Sequence, residues 1–424
     1  MELAFPEPDR VRGLNGCRSS PAPTSYGRTV PESSTASDEL QASYDEAFER
    51  EREGGFFYAP FDQQPALIEA AHYRRMALLD SIDLGDLSGA TCADYGCGSW
   101  GFAAVFPKLH DCREAVGLDI SNVALAESER RQRESPHPTR PITRFVQSAG
   151  DQLALEDSSV DVFFAGESIE HVALTRPFID EVHRVLRSGG RFVLTTPNSD
   201  ALTYRATGRK FASGPEHVAL MNYDELLGYL EPAFQVETEL GFNASYLPAS
   251  DFNIRDKGAV ASWCEAFQFV PRDATCVIVG ARRRDDYDRS QWKSTTYHHS
   301  DERWQFSSEW QPTALHARMT GRAAGGVGQS ATLDFEGNGL SLLLWSHPWS
   351  GIAKILIDGE PVDEVDLLAP EGGGFVRVDR YDLGSSSHRV EIRVTGRAHP
   401  HSLGTQVILH QAASYDAGHP PRST

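Results

Sequence analysis

Three glycines and one carboxylate in the first third of the chain have the spacing of a nucleotide-binding site. Gly96, Gly98 and Gly101 form a GxGxxG pattern between a predicted strand and a predicted helix. Asp119 ends the next predicted strand, where a carboxylate can accept hydrogen bonds from both ribose hydroxyls of an adenosine. The pattern predicts a site for an adenosine-containing cofactor, although the glycines alone leave the type of cofactor open.

Asp94 distinguishes between two such cofactors by its charge. It precedes Gly96 by two residues, and we expect its carboxylate to point at the mouth of the turn. There it would repel a pyrophosphate and attract the ammonium group of a methionine moiety. Asp94 therefore favours S-adenosylmethionine (SAM) over NAD, while a role in capping the following turn remains the alternative.

Four segments, in order, resemble the motifs of class I SAM-dependent methyltransferases: ADYGCGSWG, VGLDIS, EDSSVDVFFAGESIEHV and LRSGGRFVLTTPN. The resemblance covers roughly residues 60–285 and is strongest to the small-molecule O- and C-methylating branch that includes quinone-biosynthesis enzymes. It implies a Rossmann-like α/β fold with a seven-stranded sheet whose last strand is antiparallel, and SAM as the cofactor.

The resemblance also implies which positions bind the cofactor. Asp119 matches the ribose-binding acid, and Ile120 is expected against the adenine. Family members often carry an aspartate where this chain has Ala149, so Asp151, two residues later, is the candidate for the adenine amine. The complete set of implied cofactor-binding residues is Asp94, Gly96, Gly98, Asp119, Ile120, Asp151, Ala165 and Gly166.

Candidate catalytic residues follow the predicted fourth and fifth strands. Methyl transfer mainly requires that the nucleophile and the methyl group be held in line, but a hydroxyl acceptor also needs a base. Glu167 and His171 follow the fourth strand, where the resembling family faces the methyl group. His217, in the long insertion after the fifth strand, is a second candidate base, and Arg205 and Arg209 are candidates for holding an anionic acceptor. Structural histidines and solvated arginines are the plainer alternatives.

Alternating strands and helices are predicted to position these residues. The strand candidates are ATCADYG, EAVGLDI, TRFVQSA, VDVFFAG, GRFVLTTP, QVETELGF and ATCVIVGAR. Such alternation predicts a mostly parallel sheet covered on both faces, and the last two candidates suit an antiparallel pair at one edge. Apolar residues at helical spacing, from Leu40 to Leu79, predict helices at the start of a methyltransferase domain over residues 39–285, after a tail at 1–38.

The last third of the chain changes to short alternating strands. Seven of them, with Asp358-Gly359 as a hairpin turn, predict a β-sandwich over residues 310–415, preceded by a linker at 286–309 and followed by a tail at 416–424. The sandwich is similar to modules appended to carbohydrate-active enzymes. Trp345, Trp349 and Tyr381 are candidates for stacking on sugars, although core packing is more typical. No histidine spacing predicts a metal site.

Composition limits the classes of partner. Acidic residues outnumber basic residues 60 to 40, which argues against nucleic acid and an anionic membrane as partners. The six cysteines are scattered and predict reduced thiols, and a cytoplasmic protein is expected. The sequence thus predicts a methyltransferase for a small-molecule or carbohydrate acceptor, most simply acting on a hydroxyl. A catalytically silent binding or scaffold protein and an NAD-dependent oxidoreductase are the alternatives.

Overall fold

The computed structural model describes most of the chain from residue 36 to residue 415. The described residues are 36–54, 82, 84–99, 111–134, 143–172, 174–207, 217–242, 270–289, 294–315, 319–370, 373–380, 383–384 and 387–415. Gly101, Arg209, Tyr381 and the helical repeat predicted at 67–79 lie outside these ranges, as do the predicted tail at 416–424 and residues 1–35 of the predicted N-terminal tail.

The first part of the described chain forms the predicted seven-stranded sheet. Its strands are β1 (Thr91–Tyr95), β2 (Glu114–Asp119), β3 (Thr143–Gln147), β4 (Val160–Gly166), β5 (Leu186–Pro197), β6 (Phe234–Phe242) and β7 (Cys276–Arg283). Their order is β3-β2-β1-β4-β5-β7-β6, and β7 runs antiparallel to both of its neighbours. The expectation of an antiparallel last strand is confirmed.

The central strands are buried on both faces, as their apolar runs predict. Residues of β1 and β4 are almost wholly inaccessible and join one apolar core with helical residues such as Phe178 and Leu226. The described helices are α1 (Ala36–Gly54), α2 (Asn122–Glu134), α3 (Thr175–Val185), α4 (Leu202–Thr207) and α5 (Tyr223–Leu230). None of them combines the length and apolar character needed to cross a bilayer.

Two antiparallel sheets come next in the chain and share a second apolar core. The strands are β8 (Ser294–His298), β9 (Gln305–Phe306), β10 (Gln311–Ala314), β11 (Thr320–Ala324), β12 (Ser330–Glu336), β13 (Gly339–Ser346), β14 (Ile352–Ile357), β15 (Glu360–Asp366), β16 (Gly374–Arg380), β17 (Ser387–Val394) and β18 (Val407–Tyr415). One sheet has the order β10-β11-β18-β13-β16 with β8 also paired to β18, and the other has the order β15-β14-β17-β12-β9.

The structure differs from the sequence-based prediction at residues 286–309. This stretch was expected to be a linker, but it contains β8 and β9, which pair with β18 and β12 respectively. In β8 only Tyr297 is fully buried, so the strand lacks the strong alternation by which edge strands are recognised. The two strands within this stretch therefore belong to the sandwich.

Strand β18 contains a bulge at His410. Leu409 pairs with Leu344 of β13, but Leu343 pairs with Gln411, so that His410 is an extra residue in β18. On its other side β18 pairs with β11 up to Leu409 and with β8 from Gln411 onwards. A bulge of this kind redirects the side chains at its position.

The sandwich contacts the α/β part directly. Leu174 of the α/β part forms a buried apolar cluster with Ala413 and Tyr415 of β18. Arg377 of β16 donates a hydrogen bond of 3.3 Å from Nη1 to Oγ1 of Thr175, the first residue of α3. These contacts bring β18 beside the segment that follows β4.

Candidate functional site

A cavity of about 460 Å³ lies at the carboxyl ends of β1, β2 and β4. The strand order reverses between β1 and β4, and open α/β sheets bind their ligands at such a point. The described residues that line it are Leu40, Tyr44, Phe48, Tyr95, Gly96, Gly98, Asp119, Ile120, Ala149, Gly150, Asp151, Glu167, Ser168, His171, Val172, Leu174, Val218, Thr296, Met319, His410 and Gln411.

The glycine turn after β1 requires glycine at its first position. Gly96 has a φ of +68°, and a Cβ atom there would lie 2.6 Å from the Cβ of Ser168. Gly98 also has a positive φ, of +55°, and faces Phe48 of α1. The turn is therefore held close to the segment after β4, and its backbone forms one end of the cavity.

Asp119 is held by backbone donors at the end of β2. One carboxylate oxygen accepts a hydrogen bond of 2.8 Å from the Gly98 N–H, and the other accepts one of 2.8 Å from the Ser121 N–H. Burial raises the pKa of Asp119 to about 6, against the lowering effect of these N–H groups and with a further rise from the nearby Asp45. The carboxylate is thus fixed in orientation and still lines the cavity.

The other predicted cofactor-binding residues divide into two groups. Ile120 and Asp151 line the cavity, and so does Ala149, at the position where the resembling family often has an aspartate. Asp94, Ala165 and Gly166 are not among the described lining residues; they are located within β1 and β4, in the strands just behind the cavity. Any contact that they make with a cofactor remains a prediction.

Glu167 has an unusual backbone and an unpaired carboxylate oxygen. Its φ of 50° lies in the left-handed region, which is uncommon for a residue with a side chain. Its N–H donates to the Thr195 carbonyl over 2.8 Å, which holds this conformation. Its Oε1 is buried without a hydrogen-bond partner among the described residues, and so is Oγ of Ser168. Two polar atoms at the cavity wall thus lack a partner within the described chain.

His171 lies beside Glu167 in a short 3₁₀ turn, Ile169–His171. The hydroxyl of Tyr44 in α1 lies 2.7 Å from its Nδ1, and the ring of His217 lies 4.7 Å from its ring, edge to face. His217 is near the cavity without being one of its described lining residues. Glu170, His171 and His217 each present one ligand-type atom within 4.8 Å of the others.

Arg205 lies apart from this group. Its guanidinium donates to Asp273 over 2.5 Å and forms an ion pair of 3.3 Å with Asp200. Both partners belong to the same surface region at the start of α4, and Arg205 is not among the described lining residues. The structure supports the plainer alternative, an arginine paired on the surface, over a role in holding an anionic acceptor.

Sequence motifs did not reveal two walls of the cavity. Leu40, Tyr44 and Phe48 of α1 recur every four residues, which predicts a common helix face but not its target. The sandwich contributes Thr296, Met319, His410 and Gln411. These residues come from separate strands, so that no local pattern connects them with the glycine turn.

Gln411 is the most unusual of the residues from the sandwich. Its side chain is only 1% exposed, and neither its Oε1 nor its Nε2 has a hydrogen-bond partner among the described residues. Successive residues of a regular strand point to opposite faces, but the bulge allows both His410 and Gln411 to line the cavity. The unpaired amide therefore offers one donor group and one acceptor group to a ligand.

Comparison with known proteins connects the α/β part with one family. The methyltransferase domain family model matches residues 93–194. A probable SAM-dependent methyltransferase of Mycolicibacterium smegmatis is 31% identical over 206 residues, which cover 47% of this chain and 74% of that protein. The sarcosine/dimethylglycine N-methyltransferase of Aphanothece halophytica is 32% identical over 111 residues, but the match covers only 26% of this chain and 39% of that protein. The structure of a SAM-dependent methyltransferase from Mesorhizobium loti is 22% identical, with a TM-score of 0.36, over 50% of this chain and 98% of that one.

Proposed function

Since this chain belongs to the SAM-dependent methyltransferases, we propose that it methylates a hydroxyl group of a small molecule or glycan, with Glu167 as the base. The chain is an enzyme that uses SAM as its methyl donor. The family membership excludes the NAD-dependent oxidoreductase that the glycines alone left open, and it favours an enzyme over the alternative of a silent binding protein. The acceptor and the roles of individual residues are the subject of the proposal.

The walls of the cavity fit the cofactor. A Cβ atom on Gly96 would clash with Ser168, so glycine allows the turn to pack directly against the segment after β4 at the end of the cavity. The Asp119 carboxylate suits the two hydroxyls of the ribose, Ile120 suits the adenine ring, and Asp151 suits the adenine amine. When bound, SAM supplies an electrophilic methyl group on a sulfonium centre.

The unpaired Oε1 of Glu167 is the observation that carries the proposal of a hydroxyl acceptor. A hydroxyl must lose its proton as it attacks, and a positioned carboxylate can accept that proton. The left-handed backbone of Glu167 is a local cost of the kind found at functional sites. His171 and His217 are proposed to complete the polar end of the cavity, with His171 oriented by the Tyr44 hydroxyl.

The sandwich is proposed to select the acceptor through the cavity wall. Trp345 is buried beside Phe375 and serves the core, whereas Trp349 is 48% exposed. Neither tryptophan is among the described residues that line the cavity, but Gln411 is. Its amide can both donate a hydrogen bond to a hydroxylated acceptor and accept one from it. The segment matched by the family model, 93–194, includes Asp119 and Glu167 but neither Tyr44 nor Gln411. Gln411, which is proposed to recognise the acceptor, thus lies outside that segment.

The test combines a search for the acceptor with a variant of Glu167. Wild-type protein is incubated with methyl-labelled SAM and a pool of hydroxylated metabolites and glycans, and the product is identified by mass analysis. Glu167→Gln is expected to lower the rate of methyl transfer to that product by about 100-fold or more, because a general base typically contributes about 10²–10⁴. SAM affinity, measured by calorimetry, should remain unchanged.

Glu336→Gln, at an exposed position of the sandwich, is the matched control and should keep full activity. A product methylated on carbon or nitrogen would contradict the proposed chemistry. Full activity of Glu167→Gln on a hydroxyl would show that another group removes the proton.

A further inference from the structure

A second polar cluster lies where α1 meets the sandwich. It contains Glu39 from α1, His298 and His299 at the end of β8, Thr320 of β11 and His410 of β18. The next residue of α1, Leu40, lines the cavity, as does His410. The cluster is therefore directly behind a cavity wall, and methyl transfer does not account for it.

Glu39 is buried and ionised. Its carboxylate accepts hydrogen bonds from the Thr320 N–H, over 2.9 Å, and from the Thr320 hydroxyl, over 2.6 Å. These two hydrogen bonds stabilise the charged form of the buried carboxylate. The α1 helix thus brings a negative charge into the interface with the sandwich.

His299 presents a lone pair to the interior of the cluster. Its Nε2 lies 2.7 Å from the Thr320 hydroxyl oxygen. The single hydroxyl proton of Thr320 is already donated to Glu39, so Nε2 of His299 must carry the proton in this pair. With its proton on Nε2, the neutral imidazole carries its lone pair on Nδ1. This Nδ1 is buried without a hydrogen-bond partner among the described residues, and the residue is only 6% exposed.

His298 adds a second nitrogen. Its Nδ1 lies 2.7 Å from the Ser300 hydroxyl. Its Nε2 is buried, has no hydrogen-bond partner among the described residues and lies 3.7 Å from Oε2 of Glu39. One ligand-type atom from each of Glu39, His298 and His299 lies within 4.8 Å of the others.

We propose that Glu39, His298 and His299 bind a divalent transition-metal ion, with zinc favoured, that links α1 to the sandwich. Two imidazole nitrogens and one carboxylate oxygen are a typical donor set for zinc. Ligand atoms of a tetrahedral zinc ion stand roughly 3.4 Å apart, since each bond is about 2.1 Å long. The three atoms now lie within 4.8 Å of one another, so small rotations of the side chains would be needed to reach that distance.

The other cluster of potential ligands has different surroundings. In that group, Nδ1 of His171 is bonded by the Tyr44 hydroxyl, and Glu170 accepts a hydrogen bond of 2.9 Å from Thr196. In the interface cluster, by contrast, two imidazole nitrogens lack such a bond within the described chain. The proposed ion is therefore structural: it does not touch the reacting atoms, but it fixes the helix that carries Leu40, Tyr44 and Phe48 into the cavity wall.

The test is zinc binding by the full-length protein, measured without any methyl acceptor. Metal-free protein is titrated with ZnCl₂ by calorimetry in the presence of a competing chelator. Wild type and His401→Ala, an exposed histidine of the sandwich, are expected to bind one ion per chain. His299→Ala and Glu39→Gln should each weaken binding by at least about 100-fold, more than the loss of an outer-shell partner typically does.

Thermal unfolding provides a second readout that does not depend on a single variant. Zinc should raise the Tm of the wild type and of His401→Ala, and should leave that of Glu39→Gln unchanged. The proposal is overturned if wild type binds no zinc, so that Glu39 and His298 form only an ion pair. It is equally overturned if His299→Ala and Glu39→Gln bind zinc as wild type does, or if His217→Ala alone abolishes binding.

Discussion

Asp119 combines two requirements that oppose each other. As the proposed ribose-binding group it must be ionised, but its position at the buried end of β2 disfavours the charge. Two backbone N–H groups compensate in part, and the pKa stays at about 6, above the usual range of an aspartate. The residue is therefore sensitive to pH in a range where most carboxylates are not.

We predict that SAM affinity falls on acidification in a way that depends on Asp119. Above about pH 6 the carboxylate is ionised and can accept both ribose hydroxyls. Below that pH it is protonated in the free protein and must release a proton to bind, so affinity should drop about tenfold for each further pH unit. Calorimetry with SAM between pH 8 and pH 5 measures the effect.

Asp119→Asn is the control for this prediction. It should bind SAM weakly at every pH, and its affinity should not change between pH 8 and pH 5. A wild-type affinity that is constant down to pH 5 would contradict the assignment of Asp119 as the ribose-binding group.

The sequence indicated some of the cavity residues and not others, for a physical reason. Asp119 ends β2 and Glu167 follows β4, and the carboxyl ends of parallel strands lie at one edge of a sheet. Their positions could be predicted from the strand pattern. Glu39 and His299 are separated by most of the chain and meet only because the sandwich packs beside α1, which no local pattern encodes.

At the scale of elements, the turn after β1 depends on two properties of Gly96. It needs a positive φ, and it needs space against Ser168. Gly89, in the turn that precedes β1, shares only the first property: its φ is +73°, but a Cβ atom there would meet nothing within 4 Å. A substitution of Gly89 therefore introduces backbone strain alone, whereas a substitution of Gly96 introduces both strain and a close contact with Ser168.

We predict that Gly89→Ala lowers the free energy of unfolding by about 1 kcal/mol, the lower end of the cost of a left-handed residue with a side chain. Gly96→Ala should lose at least about 1 kcal/mol more, because overpacking adds to the strain. Only Gly96→Ala should also lose SAM binding. Urea denaturation and calorimetry measure the two effects, and equal losses in both variants would show that contact with Ser168 is unimportant.

The elements themselves were predictable where their apolar patterns were strong. All seven strands of the α/β sheet and the Asp358-Gly359 turn between β14 and β15 were expected from the sequence, and the structure contains them. Strand β8 was missed because it is short and largely exposed. Its pairing with β18 depends on tertiary contacts, so the polar stretch that contains it resembled a linker.

At the scale of the whole molecule, the cavity belongs to both folds. The α/β part supplies the glycine turn, Asp119 and Glu167, while the sandwich supplies Gln411 to the same space. A buried amide without partners among the described residues is unfavourable in the ligand-free protein. A ligand that forms hydrogen bonds with the Gln411 amide would offset this cost.

We predict that Gln411→Leu stabilises the protein but weakens the binding of the acceptor. The free energy of unfolding should rise by about 1 kcal/mol, because an unsatisfied buried amide is replaced by an apolar side chain. The KM for the acceptor should rise about tenfold or more, while SAM affinity stays the same. Denaturation can be measured at once, and steady-state kinetics once the acceptor is known.

Gln311→Leu, at an exposed position of β10, is the matched control and should change none of these quantities. A clear loss of stability in Gln411→Leu would mean that the amide has a structural partner. An unchanged KM would exclude Gln411 from acceptor recognition.

The bulge in β18 has a consequence for how this enzyme can change its acceptor. A single additional residue allows His410 and Gln411 to face the cavity together. Deleting one residue there would restore regular alternation and turn one of these side chains towards the opposite face of the sheet. New specificity could thus arise by the insertion or deletion of one codon, without any substitution in the methyltransferase motifs.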